Sequence, residues 1–129
     1  MRRALKAAAF VVLLAAAAAA APERSSQTVE SHTFDHKTTE KKKHELRVPS
    51  DGTRVRLRVK ASVREGELKI VVRDPDGRLF QEARLGPSKK TTSYDVDSNV
   101  MRSEAGVWTV EVEATEAVGS YEFAFTQYE

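Results

Sequence analysis

Between residues 44 and 125 the chain alternates apolar and polar side chains with a period of two. Val55, Leu57 and Val59 interleave with Arg54, Arg56, Arg58 and Lys60. His44, Leu46 and Val48 do the same with Glu45 and Arg47, as do Leu68, Ile70 and Val72 with Lys69 and Arg73. Later, Trp108, Val110 and Val112 alternate with Thr109, Glu111 and Glu113, and Tyr121, Phe123 and Phe125 close the series. Successive side chains of a strand point to opposite faces, so this pattern dictates strands with one face in a core and the other in water. Turn chemistry punctuates it at Pro49-Ser50-Asp51-Gly52, Glu65-Gly66, Asp74-Pro75-Asp76-Gly77, Gly86-Pro87-Ser88 and residues 117–120. In the third of these, Asp, Pro and Gly occupy the first, second and fourth positions of a type I turn continued by a left-handed glycine. Shorter strands are expected over 78–83 and 91–96, and irregular chain over 97–106. The reading is all-β: an antiparallel β-sandwich of jelly-roll type with about seven or eight strands. Leu57, Val59, Leu68, Ile70, Val72, Trp108, Val110, Tyr121 and Phe123 are its expected core.

The first residues follow different rules. Arg2, Arg3 and Lys6 precede an apolar run over 7–21 that ends in seven alanines, and Pro22-Glu23-Arg24 stops it. A basic start, a short apolar stretch and small residues at the exit make a secretory signal peptide. The run falls short of the roughly twenty residues needed to cross a bilayer. Cleavage is expected near Ala20, giving a signal peptide at 1–20 and Ala21 as the new N-terminus. Residues 21–43 read as a polar leading segment with one edge strand near 29–35, and residues 44–129 as the sandwich domain.

Removing the signal changes the charge argument. Of 21 Lys and Arg against 19 Asp and Glu, three bases and no acids lie in residues 1–20, leaving 18 against 19. The basic character belongs to the targeting segment, so no nucleic-acid partner is implied, since such binding needs clustered positive charge on the folded domain. The chain has no cysteine. An exported domain of this size then relies on its packed core rather than on disulfides, and has no thiol nucleophile, thiolate metal site or lipoprotein anchor. Secretion to the periplasm or the medium is the expected localisation.

The residues Gly66-Glu67-Leu68-Lys69-Ile70-Val71-Val72-Arg73-Asp74-Pro75-Asp76-Gly77, then Gly106-Val107-Trp108-Thr109-Val110-Glu111-Val112, then Gly119-Ser120-Tyr121-Glu122-Phe123-Ala124-Phe125 carry a resemblance. Their order resembles the bacterial pre-peptidase C-terminal domain and, more distantly, the P-domain of proprotein convertases. The ending is also similar to the GOLD domain. The resemblance implies a jelly-roll sandwich acting as an accessory, non-catalytic module of secreted proteins. Its residues are turn and core residues, which specify architecture rather than activity.

Candidate sites are few. Arg54, Arg56, Arg58 and Lys60 project from one face of one strand and form a candidate docking stripe for an anionic partner: a protein, a glycan or another envelope component. In the competing reading the stripe is a solvated face balanced by Glu111 and Glu113 from a neighbouring strand. Asp95, Asp97 and Asn99 mimic the first half of a calcium loop, with Glu104 as a further oxygen ligand, although Val100 and Gly106 occupy the positions of its glycine and closing glutamate. Calcium is the one cofactor these residues suggest, and with it the function of a calcium-dependent carbohydrate-binding module. His32, His36 and His44 lie in or beside the polar leading segment and read as solvated. No serine sits in a Gly-x-Ser-x-Gly turn, and the only bases are those histidines, so a small secreted hydrolase is the least supported alternative. The expected function is an exported, non-catalytic binding or accessory module.

Overall fold

The computed structural model describes residues 25–89 and 91–128. The expected signal peptide at 1–20 and its cleavage point lie outside the described residues. Among the described residues six strands run in the order β1 (Ser25–Val48), β2 (Thr53–Arg73), β3 (Leu79–Leu85), β4 (Ser93–Asp97), β5 (Met101–Ser103) and β6 (Gly106–Tyr128), with a 3-10 turn at Pro87–Lys89. All pairings are antiparallel. Lateral order is β1-β6-β2-β3, with β4 and β5 also paired to β2. Among the described residues no helix is long and apolar enough to cross a membrane.

Three of these strands are too long to stay in one layer. Each breaks register near its middle: β1 between Phe34 and Glu40, β2 between Val63 and Glu67, and β6 opposite both breaks. The breaks line up across the sheet and form a crease over which it folds back on itself. One layer holds residues 25–34 of β1, 119–128 of β6, 53–63 of β2, and β4 with β5. The other holds residues 40–48 of β1, 106–114 of β6, 67–73 of β2, and β3. Ring contacts show the two layers face to face. Trp108 and Phe125 lie on the same strand yet approach to 6.1 Å, and the His44 ring lies 5.1 Å from Phe123. The result is an antiparallel β-sandwich.

Two turn signals act differently from the sequence expectation. Glu65-Gly66 and residues 117–120 do not reverse the chain into a neighbouring strand; they crease β2 and β6. Gly66 adopts φ 74°, and a Cβ there would lie 2.0 Å from the Glu116 carbonyl oxygen. A Cβ on Gly119 would lie 2.1 Å from the Ser62 carbonyl oxygen. Only glycine permits the backbones to approach this closely. A crease and a tight turn both demand such residues, which is why the sequence pattern did not separate them. The Asp74 turn forms as read: the Gly77 N–H donates to the Asp74 carbonyl at 2.9 Å, and Gly77 has φ 83°.

The alternating residues supply the core. Each of the nine core residues expected from the sequence is buried, together with Val55, Ala61, Val63, Val112 and Phe125. Phe123, Phe125 and Leu57 are among the largest fully enclosed side chains; burial of a side chain of this kind contributes roughly 1.5–3 kcal/mol. Trp108 is part of this core, and its indole N–H donates to Ser103 Oγ at 2.8 Å. Ser103 is itself buried, so one hydroxyl satisfies a donor that water cannot reach.

Candidate functional site

Because Val55, Leu57 and Val59 point inward, Arg54, Arg56, Arg58 and Lys60 must point outward, and they do, along the outer face of the first layer. On one side Arg58 stands opposite Asp97 and Lys60 opposite Asp95 of β4, while Arg54 stands opposite Arg102 of β5. Arg56 Nε donates to both Asp97 carboxylate oxygens at 3.0 and 3.2 Å, and its Nη2 also bonds Asp97. Arg58 grips Asp95 in the same forked manner, at 3.0 and 2.9 Å. Bonding from Arg56 and from the Asn99 N–H holds the Asp97 carboxyl down to about 2, and Arg58 lowers that of Asp95. Arg54 stacks its guanidinium 5.7 Å from the Tyr128 ring centre.

The acids that balance the stripe are therefore Asp95 and Asp97. The expected Glu111 and Glu113 lie in the other layer. Glu113 stands opposite Lys69 and reaches Lys41 at 3.9 Å, and Glu111 stands opposite Val71 and Lys43. Sequence phase placed these glutamates outward correctly but could not say which crossing strand would meet residues 54–60.

The stripe runs between two depressions. At its Lys60 end lies a trough of about 470 Å³ crossing four strands, lined by Thr33, Lys60, Ser62, Ser93, Asp95, Ser120 and Glu122 among others. Its geometry follows from register: Thr33 pairs with Ser120, Ser120 with Ser62, and Ser62 with Ser93. Four hydroxyl residues thus stand side by side at the sheet spacing of roughly 4.8 Å. The next outward row is Ser31, Glu122, Lys60 and Asp95. At the Arg54 end a depression of about 340 Å³ is lined by residues 49–54, Ser26, Gln127 and Tyr128. The hydroxyl row escaped sequence reasoning, because its members are about thirty residues apart and only the pairing register aligns them.

Asp95 and Asp97 are held by arginines, and Asn99, at φ 62°, donates its N–H to Asp97 Oδ1 at 2.8 Å. Glu104 lies beside Asp76, whose bonding and charge raise its carboxyl above the usual range. Among the described residues no group of three or more His, Cys, Asp or Glu side chains could hold a metal ion. His36 is exposed at the crease. His32 and His44, read from sequence as solvated, instead flank Tyr121: His32 stacks at 5.9 Å, and His44 Nε2 hydrogen-bonds the phenol at 3.1 Å. The shared phase of His44 with Leu46 and Val48 was the signal for that inward position.

No family model and no curated protein matches the chain. Solved structures do. The carbohydrate-binding module TmCBM61, determined in complex with beta-1,4-galactotriose, aligns with a TM-score of 0.44 at 15% identity, covering 84% of this chain and 88% of that one. Dimeric latent PorU from Porphyromonas gingivalis aligns with a TM-score of 0.41 at 7% identity, covering 81% of this chain but only 13% of that one.

Proposed function

We propose that the chain is an exported, non-catalytic binding module that recognises a neutral, hydroxyl-rich ligand, a glycan, along the outer face of its first layer. One observation carries this: Arg56 and Arg58 of that face are locked to Asp97 and Asp95, beside a row of hydroxyls. A highly charged anion would have to break the Arg56–Asp97 and Arg58–Asp95 pairs to gain contacts with the arginines. A sugar hydroxyl both donates and accepts, so it matches a surface on which donors and acceptors alternate. The rigid sheet keeps these groups in place, which limits the ordering cost of binding. An extended ligand bridging the two depressions would span about six strand residues, roughly 20 Å.

Affinity measurements against neutral and anionic polysaccharides test this. Binding to a neutral glycan should change little with sodium chloride. Ser62→Leu should abolish it by filling the trough floor, and Lys60→Ala should weaken it, with melting temperature retained. Binding restricted to polyanions and falling steeply with salt would overturn the reading.

A further inference from the structure

The remaining surface that asks for a partner is the long free edge of β1. This strand is the outermost member of the lateral order, and among the described residues it pairs with β6 alone. Because β1 passes through the crease, it forms the edge of both layers on this side of the sandwich. The edge is also open toward the interior. Thr28 and Glu30 stand opposite Phe125 and Phe123, on the core-facing side of the first layer. Yet both are exposed, whereas their partners are buried. Elsewhere on the same strand the core-facing Phe34, Leu46 and Val48 are buried.

Charge divides the edge in two. Residues 25–35 contain Glu30 and Asp35 and no lysine or arginine. Residues 37–48 contain Lys37, Lys41, Lys42, Lys43 and Arg47 against Glu40 and Glu45. The crease sets these acidic and basic halves side by side, running in opposite directions in the two layers.

We propose that two copies of the chain associate through β1, the first half of each pairing antiparallel with the second half of the other across a two-fold axis through the open edge. Such an axis exchanges the two layers while keeping strand height, so each four-strand layer continues into the opposite layer of the second copy. The contact is self-complementary, as a two-fold interface requires. It brings each acidic half against a basic half. Registers that keep core-facing residues together place Glu30 of one copy beside Lys42 or His44 of the other. It also supplies the backbone partners that an edge strand lacks. Lysines on an edge can instead serve to keep it unpaired. On this edge they occupy one half only, so a two-fold partner meets them with Glu30 and Asp35 rather than with like charge.

The test is sedimentation or light scattering on the chain lacking residues 1–20, which retains every described strand. A dimer is expected, with dissociation promoted by salt. Lys42→Glu should weaken it about tenfold, because the inverted charge enters two symmetric contacts. The double variant Glu30→Lys/Lys42→Glu should restore it, with circular dichroism confirming the fold in both. A protein that stays monomeric up to about millimolar concentration overturns the proposal, since a weaker contact would lie beyond the affinity of a specific interface, and leaves the lysines as edge guards. A dimer that Lys42→Glu leaves unaltered, or that the double variant does not restore, overturns it as well.

Discussion

His44 shows how much depends on one side chain at the margin of the core. Its place in the inward phase of β1 brings it under the other layer, where its ring meets Phe123 and bonds the Tyr121 hydroxyl. Burial lowers its pKa below 6.5; the Glu30 carboxylate opposes that shift, while Lys42 and His32 add to it. The unfolded chain therefore takes up this proton before the folded one does. Stability contributed by neutral His44 is fully present above about pH 6.5 and is lost as pH falls through the lower folded value. Melting temperatures recorded between neutral and mildly acidic pH should decline over that window, and His44→Gln should flatten the decline. A profile identical in the two proteins would show that other groups govern it. Ser103 presents a second single-residue dependence. Replacing it with alanine strands the buried Trp108 N–H, so Ser103→Ala should cost about 1–3 kcal/mol in urea denaturation. Asp95 and Asp97 give the opposite kind of expectation. Their oxygens are already engaged by arginines, and a calcium ion would have to displace them. Thermal melts with calcium and with chelator should superimpose, and a calcium-dependent rise of several degrees would contradict this.

At the scale of the element, the crease is what turns three long strands into two layers. The strand pattern was legible because alternation is a local property: 54–60, 68–72 and 108–112 each declare which residues point inward. The crease was not legible, because the sequence signals only that residues near 66 and 119 need unusual backbone freedom. Whether the chain then reverses or merely bends is decided by which strands lie alongside. Here β2 and β6 bend together, with the Glu116 N–H, at φ 48°, held by the Thr39 hydroxyl of β1 at 3.0 Å. The same limit hid the candidate site. The outward phase of Arg54 to Lys60 could be read, but their Asp95 and Asp97 partners and the hydroxyl row depend on pairings among distant segments. Gly66→Ala should therefore be far more damaging than an alanine in an ordinary exposed turn. Its methyl group would meet the Glu116 carbonyl, and its φ would be strained. A loss of at least about 2 kcal/mol is expected in equilibrium unfolding. By contrast, a Cβ on Gly77 meets nothing within 4 Å. Gly77→Ala should cost only the left-handed strain of roughly 1–2 kcal/mol. Equal losses at the two positions would mean that the crease does not require close backbone approach.

For the whole molecule, continuity through the crease couples the layers. β6 pairs with β1 and β2 in both of them, so neither layer has a complete set of strands without segments that also build the other. The first and last of the described strands are also neighbours, so the β1–β6 pairing joins segments distant in sequence. Pairing of this non-local kind is expected to fold in milliseconds to seconds rather than microseconds. It also predicts all-or-none unfolding. Trp108 reports on the second layer and its contact with Phe125 of the first, while far-ultraviolet circular dichroism reports on both. The two denaturation curves should coincide at any one protein concentration. If β1 pairs two copies, both curves should move together as concentration changes. Fluorescence that changes before the circular dichroism would mean that the layers separate while their strands persist. In that case the crease would act as a hinge between independent sheets rather than as the seam of one cooperative sandwich.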